Sequence, residues 1–165
     1  MRLQELGYFI RKARLAKGLT QDELAQSAGL SRTTMNQLEN GVFPDIGVNK
    51  AQAILESLGL TLQIQPATRR RRPDFVRMAC TSASVSYREK LTEGELVRAL
   101  LTGRIPAGRR PHFRMLVDEA PTAVLKGMVE DIGRFTQPGR VARNLLVIAE
   151  ALGSLKRTRA WLKDA

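Results

Sequence analysis

The stretch TQDELAQSAGLSRTTMNQLENG, Thr20 to Gly41, decides how the chain is read. It divides into two short amphipathic helices around a glycine. Thr20 and Glu23 have the spacing of a capping box, in which the hydroxyl accepts one free amide and the carboxylate reaches back to another, so a helix starts at Gln21 and runs to about Ala28. Gly29 supplies the positive φ that ends it, and Ser31 is an N-cap for a second helix, Arg32 to Glu39, which stops at Asn40 and Gly41. Helical geometry sends Met35 and Leu38 inward toward Leu24 and Ala25. Arg32, Thr33, Asn36 and Gln37 are left facing water, where a surface helix ordinarily carries Lys and Glu.

These outward residues pair with base edges: Arg with guanine, Asn or Gln with adenine, and the Thr methyl with thymine. Two helices joined by a glycine turn, the second presenting such a face, match the helix-turn-helix pattern, whose second helix enters the major groove. Arg32 and Gln37 are the first-choice base contacts, and Thr34 is a phosphate contact.

Outward from this core, Leu6, Phe9, Ile10, Ala13 and Ala16 recur at helical spacing between Leu3 and Ala16, and Gly18 follows as a stop. Val48, Ala51, Ile54, Leu55 and Leu58 make a fourth helix closed by Gly59. The next segment, LTLQIQP, alternates Leu60, Leu62 and Ile64 with polar residues and ends at Pro66, which predicts a strand. A lone strand leaves backbone groups unpaired, so it pairs either with the same segment of a second copy or within its own chain.

The second half is organised differently. ATRRRRP, Ala67 to Pro73, is a basic linker, and beyond it helices are expected at about 74–87, 92–102, 111–119, 121–135, 140–152 and 155–162. Thr92 and Glu95 repeat the capping box. Arg69, Arg70, Arg71 and Arg72 are either a solvated linker, a contact to phosphates or a narrow minor groove, or a partner contact.

Charge follows the same division. The net charge is +11: residues 1–66 hold 7 Lys/Arg against 6 Asp/Glu, whereas residues 67–165 hold 20 against 10. A basic excess favours polyanions, nucleic acid first, or an acidic protein partner. One cysteine, Cys80, and one histidine, His112, exclude an internal disulfide framework and leave no metal-ligand cluster. Cys80 reads as a core residue and His112 as a surface or capping residue near a helix start. Ser82, Ser84 and Ser86 read as capping or packing residues, and Asp118, Glu119, Glu130 and Asp131 as helix-surface charges. No catalytic residue, metal or cofactor is assigned, and an enzyme is not expected. The apolar runs are far shorter than the roughly 20 residues of a membrane span, and there is no apolar signal-peptide core, so the expected compartment is the cytoplasm.

With Arg14, Gly18, Leu19, Thr20, Gln21, Leu24, Ala25, Gly29, Ser31, Leu38, Glu39 and Gly41 in register, residues 6–59 resemble the lambda-repressor-like, or Cro, helix-turn-helix family. The resemblance implies a structural pair between Arg14 and Glu39, and it implies that Gln21 contacts a phosphate and braces the recognition helix. The DNA-binding set it supports is Gln21, Ser31, Arg32, Thr33, Thr34, Asn36, Gln37 and Asn40, with the four arginines added. The domain followed by one strand near a proline further resembles the HipB-type antitoxins, whose strands pair across a dimer. The expected whole is a mainly α protein: residues 1–66 a helix-turn-helix domain with a dimerising strand, 67–73 a basic linker, and 74–165 a helical domain for partner binding or oligomerisation. Its expected role is a homodimeric regulator on a palindromic operator in double-stranded DNA, the antitoxin or autorepressor of a toxin operon, with a cognate toxin as possible partner. The alternative is a stand-alone phage- or stress-type repressor whose second half oligomerises or senses a ligand.

Overall fold

The computed structural model describes residues 2–43, 45–64 and 73–162, and the chain divides into two compact units, Met1–Arg69 and Arg70–Ala165. The first holds α1 (Leu3–Ala16), α2 (Gln21–Ser27), α3 (Arg32–Glu39) and α4 (Val48–Ser57). Leu6 and Ile10 of α1, Leu24 and Ala25 of α2, Met35 and Leu38 of α3, and Ala51, Ile54 and Leu55 of α4 close over one core. α3 packs against both α1 and α2, and α4 packs against α2.

Local chemistry fixes the ends of α2 and α3. The amide of Glu23 donates to Thr20 Oγ1 at 3.2 Å while the amide of Thr20 donates to Glu23 Oε2 at 2.6 Å, completing the capping box. The Glu23 carboxyl is held below its ordinary range, chiefly by that Thr20 backbone bond. Gly29 adopts φ +64°, a conformation that side chains with a Cβ rarely take, so the chain reverses between the two helices at that residue. Ser31 Oγ accepts the amide of Thr34 at 3.1 Å and starts α3.

The second unit holds α5 (Phe75–Ala83), α6 (Glu93–Thr102), α7 (Arg110–Glu119), α8 (Thr122–Gly133), α9 (Arg140–Leu152) and α10 (Leu155–Leu162). α5 packs on α6, α7 and α8, whereas α9 packs on α6, α7, α8 and α10. Leu96, Leu100, Phe113, Leu116, Leu125 and Met128 are buried between them.

Two expectations are corrected in form. The segment after α4 is not a strand among the described residues: the amide of Leu60 donates to the carbonyl of Leu55 at 2.8 Å and Leu60 packs on the core, while Leu62 is 47% and Ile64 99% exposed. Alternation alone makes no ladder, because a strand exists only where a neighbour takes its backbone bonds. The helix expected to reach Tyr87 ends at Ala83, because Ser84 is drawn inward, where its Oγ accepts the amide of Leu91 at 2.9 Å. Gln65, Pro66 and the run Arg69 to Arg72 lie outside the described residues.

Candidate nucleic-acid interface

The placement of α3 rests on a buried ion pair. Arg14 Nε donates to Glu39 Oε1 at 2.5 Å and its Nη2 donates to Oε2 at 2.9 Å, a bidentate contact whose side chains are 8% and 0% exposed. Arg14 Nη1 also donates to the carbonyl of Leu19 at 2.6 Å, which ties the entry to α2 into the same junction. The bond to Glu39 raises the Arg14 pKa against the opposing effect of burial. The structure thus brings together Arg14 and Glu39, the two residues expected to pair.

α1 approaches α3 closely at a residue that sequence reasoning passed over. A Cβ on Gly7 would lie 2.0 Å from the carbonyl oxygen of Leu38, so only glycine lets the two backbones meet there. The available signal was a glycine inside a helix, which costs about 1 kcal/mol relative to alanine and calls for a packing reason.

The polar side of α3 separates into two sets. Gln21 Nε2 donates to Glu39 Oε2 at 2.8 Å, Asn36 Nδ2 donates to Gln21 Oε1 at 3.2 Å, and Asn40 Nδ2 donates to Asn36 Oδ1 at 3.3 Å. Ser31 and Thr34 share a hydroxyl contact of 2.9 Å at the start of the helix. Arg32, Thr33 and Gln37, by contrast, are exposed, and no hydrogen bond or ion pair holds their side chains among the described residues. A guanidinium, a hydroxyl and a carboxamide left open on one short helix suit a surface whose partner brings its own donors and acceptors.

Residues 10–65 match the helix-turn-helix family model. The helix-turn-helix match spans about a third of the chain, from within α1 through α4, and places α3 as the second helix of the motif. It suggests a sequence-specific DNA-binding regulator and leaves the second unit outside. No match was found among curated proteins or among solved structures. Among the described residues no helix is long and apolar enough to cross a membrane, and no group of three or more His, Cys, Asp or Glu is placed to hold a metal ion.

In the second unit several arginines are tied into the fold. Arg109 Nε donates to Glu95 Oε1 at 2.8 Å and its Nη1 to Glu89 Oε2 at 3.0 Å. Arg110 donates to the carbonyl of Ala151, and Arg114 to that of Leu152 at 2.8 Å, at the end of α9. Arg140 Nε and Asn144 Nδ2 do the same for Leu101 and Leu100 at the end of α6, at 3.0 and 2.8 Å. Helix C-termini expose unpaired carbonyls and partial negative charge, so cations settle there. Arg110 and Arg114 remain exposed while they hold these helix ends. His112 is also corrected: it is buried, its Nε2 lies 2.7 Å from the carbonyl of Glu89, and its ring stacks on Tyr87 with centroids 4.3 Å apart. Its helix starts at Arg110 and carries the ring inward at the third position. Cys80 is buried as expected. Beside it a groove of about 450 Å³ has Leu91 and Val85 on its apolar lining and Arg77 and Lys90 among its polar residues.

Proposed function

We propose that the protein is a sequence-specific DNA-binding transcriptional regulator that acts as a homodimer on a palindromic operator in the cytoplasm. The observation that carries this reading is the open set Arg32, Thr33 and Gln37 on a helix braced from behind by a buried bidentate ion pair. Rigid support with unsatisfied polar groups in front is what base readout requires. Ser31 and Thr34 stand at the start of the same helix and are assigned to phosphates. Leu62 and Ile64, exposed on a segment that has no ladder partner among the described residues, support pairing of residues 60–65 with their mates in a second copy. The first half is almost neutral, so Arg69 to Arg72 are assigned to the phosphate backbone.

The finer role we propose is that of an autorepressor and antitoxin, with residues 74–165 as a non-enzymatic domain that holds an acidic toxin protein; the net +10 of the second half supports an acidic partner. The groove beside Cys80 favours a second reading, a stand-alone repressor that senses a small ligand, because about 450 Å³ falls within the range of ligand pockets. Selection of binding sites from random duplexes tests the main reading. It predicts an inverted repeat with half-site centres about one helical turn apart or a multiple of it. Enrichment of no sequence, or of a motif without twofold symmetry, contradicts it.

A further inference from the structure

The amide bonds in front of Glu39 run in one direction, and their direction is forced at both ends. Glu39 is a carboxylate already gripped by Arg14, so it can only accept, and Gln21 must present Nε2 to it at 2.8 Å. Gln21 Oε1 is thereby turned to Asn36 and accepts from Nδ2 at 3.2 Å. At the other end Asn40 Nδ2 donates to the backbone carbonyl of Asn36 at 2.8 Å, and a carbonyl likewise only accepts. The same Nδ2 group donates to Asn36 Oδ1 at 3.3 Å. Flipping the Asn36 carboxamide would set two N–H groups against each other at Asn40 and two oxygens against each other at Gln21.

We infer that Gln21 and Asn40 lock the Asn36 carboxamide in a single orientation, so that Asn36 reads adenine and Asn40 is a positioning residue for that readout. This inference rests on the DNA-binding reading above. Asn36 is exposed, and once Gln21 and Asn40 have each taken one valence it keeps one N–H and one lone pair. One donor and one acceptor is the pattern that adenine N7 and N6 complement in the major groove, whereas guanine presents two acceptors there. An unlocked carboxamide turns freely and donates to guanine or to thymine O4 as well. The lock therefore restricts the readout without itself touching a base.

The test is a base-preference profile of the full-length protein on duplexes varied at every half-site position, for wild type, Asn36→Ala, Asn40→Ala and the double variant. The expected wild-type preference for adenine at the Asn36 position is about 5- to 150-fold, the discrimination of one bidentate contact. Asn36→Ala and Asn40→Ala are each expected to reduce it to a few-fold at that one position while the other positions keep their ranking. The double variant is expected to show no further loss. A purely structural role for Asn40 would lower affinity equally for all sequences and leave the adenine preference in place, and that result overturns the inference. So does an Asn36→Ala profile identical to wild type, even where Arg32→Ala alters its own position and leaves the DNA-binding reading standing. A thermal melt by circular dichroism confirms folding of each variant; if Asn40→Ala is unfolded, Asn40→Ser, which keeps a short donor, is expected to preserve the preference, and its loss there overturns the lock. Absence of any sequence preference in wild type overturns the DNA-binding reading and this inference with it.

Discussion

Glu39→Gln isolates the brace behind α3. The carboxylate is fully buried, takes two bonds from Arg14 at 2.5 and 2.9 Å and a third from Gln21 at 2.8 Å. A carboxamide of the same shape removes the counterion of an arginine whose side chain is only 8% exposed and turns one acceptor into a donor facing Arg14 or Gln21. Removing one partner of a buried pair costs about 3–5 kcal/mol, because the other charge stays buried without compensation. A unit of the size of Met1–Arg69 has a total stability of roughly 3–10 kcal/mol, so this loss takes a large share of it. The single tryptophan, Trp161, sits on α10 of the second unit, so its fluorescence follows that unit while far-ultraviolet circular dichroism follows both. With a urea slope of about 1–3 kcal/mol per molar, the circular-dichroism transition of the first unit is expected to move down by about 1 M or more. The Trp161 transition is expected to stay in place. A shift under about 0.3 M would refute the reasoning, because it would mean that water or rearrangement satisfies Arg14 without Glu39.

Gly7→Ala puts a methyl 2.0 Å from the Leu38 carbonyl, so α1 and α3 must part; the expected cost is about 1–3 kcal/mol in urea unfolding, with weaker operator binding alongside. Glu95 gives a pH signature: burial pushes its carboxyl up, but the Thr92 amide and the Arg109 guanidinium outweigh burial and hold it below the ordinary 4.5. Its stabilising contribution is present above that value and is lost as pH falls through the lower folded value, so Glu95→Gln is expected to flatten the decline in Trp161 unfolding midpoint below about pH 4.5. Ile64→Pro removes a backbone donor from the segment assigned to dimer pairing, and sedimentation at micromolar concentration is expected to show monomer.

Much of the first unit was legible because its signals are local. Thr20 with Glu23, the Ser31 cap and Gly29 each act over three or four residues, and the apolar spacing of α1 to α4 points to one core. Long-range features were less visible. The 2.0 Å approach at Gly7 depends on how two helices cross, which no spacing encodes. The resemblance implies that Gln21 braces the recognition helix, but not that it does so through Asn36, since a hydrogen bond between positions fifteen residues apart emerges only after packing. The charge count of the second half is plain in the sequence, but that Arg110, Arg114 and Arg140 bond the carbonyls at helix ends depends on how the helices pack. Leu60 to Ile64 alternated as a strand does, but the partner that would make it one is not encoded in that segment.

The central claim, that the exposed face of α3 reads bases, is tested most directly by comparing binding-site preferences of wild type, Arg32→Ala and Gln37→Ala on randomised half-sites. Each substitution is expected to cost about 1–3 kcal/mol on the preferred site and to relax preference at one position of each half-site, a different position for each residue. Unchanged base preferences in both variants would contradict the account.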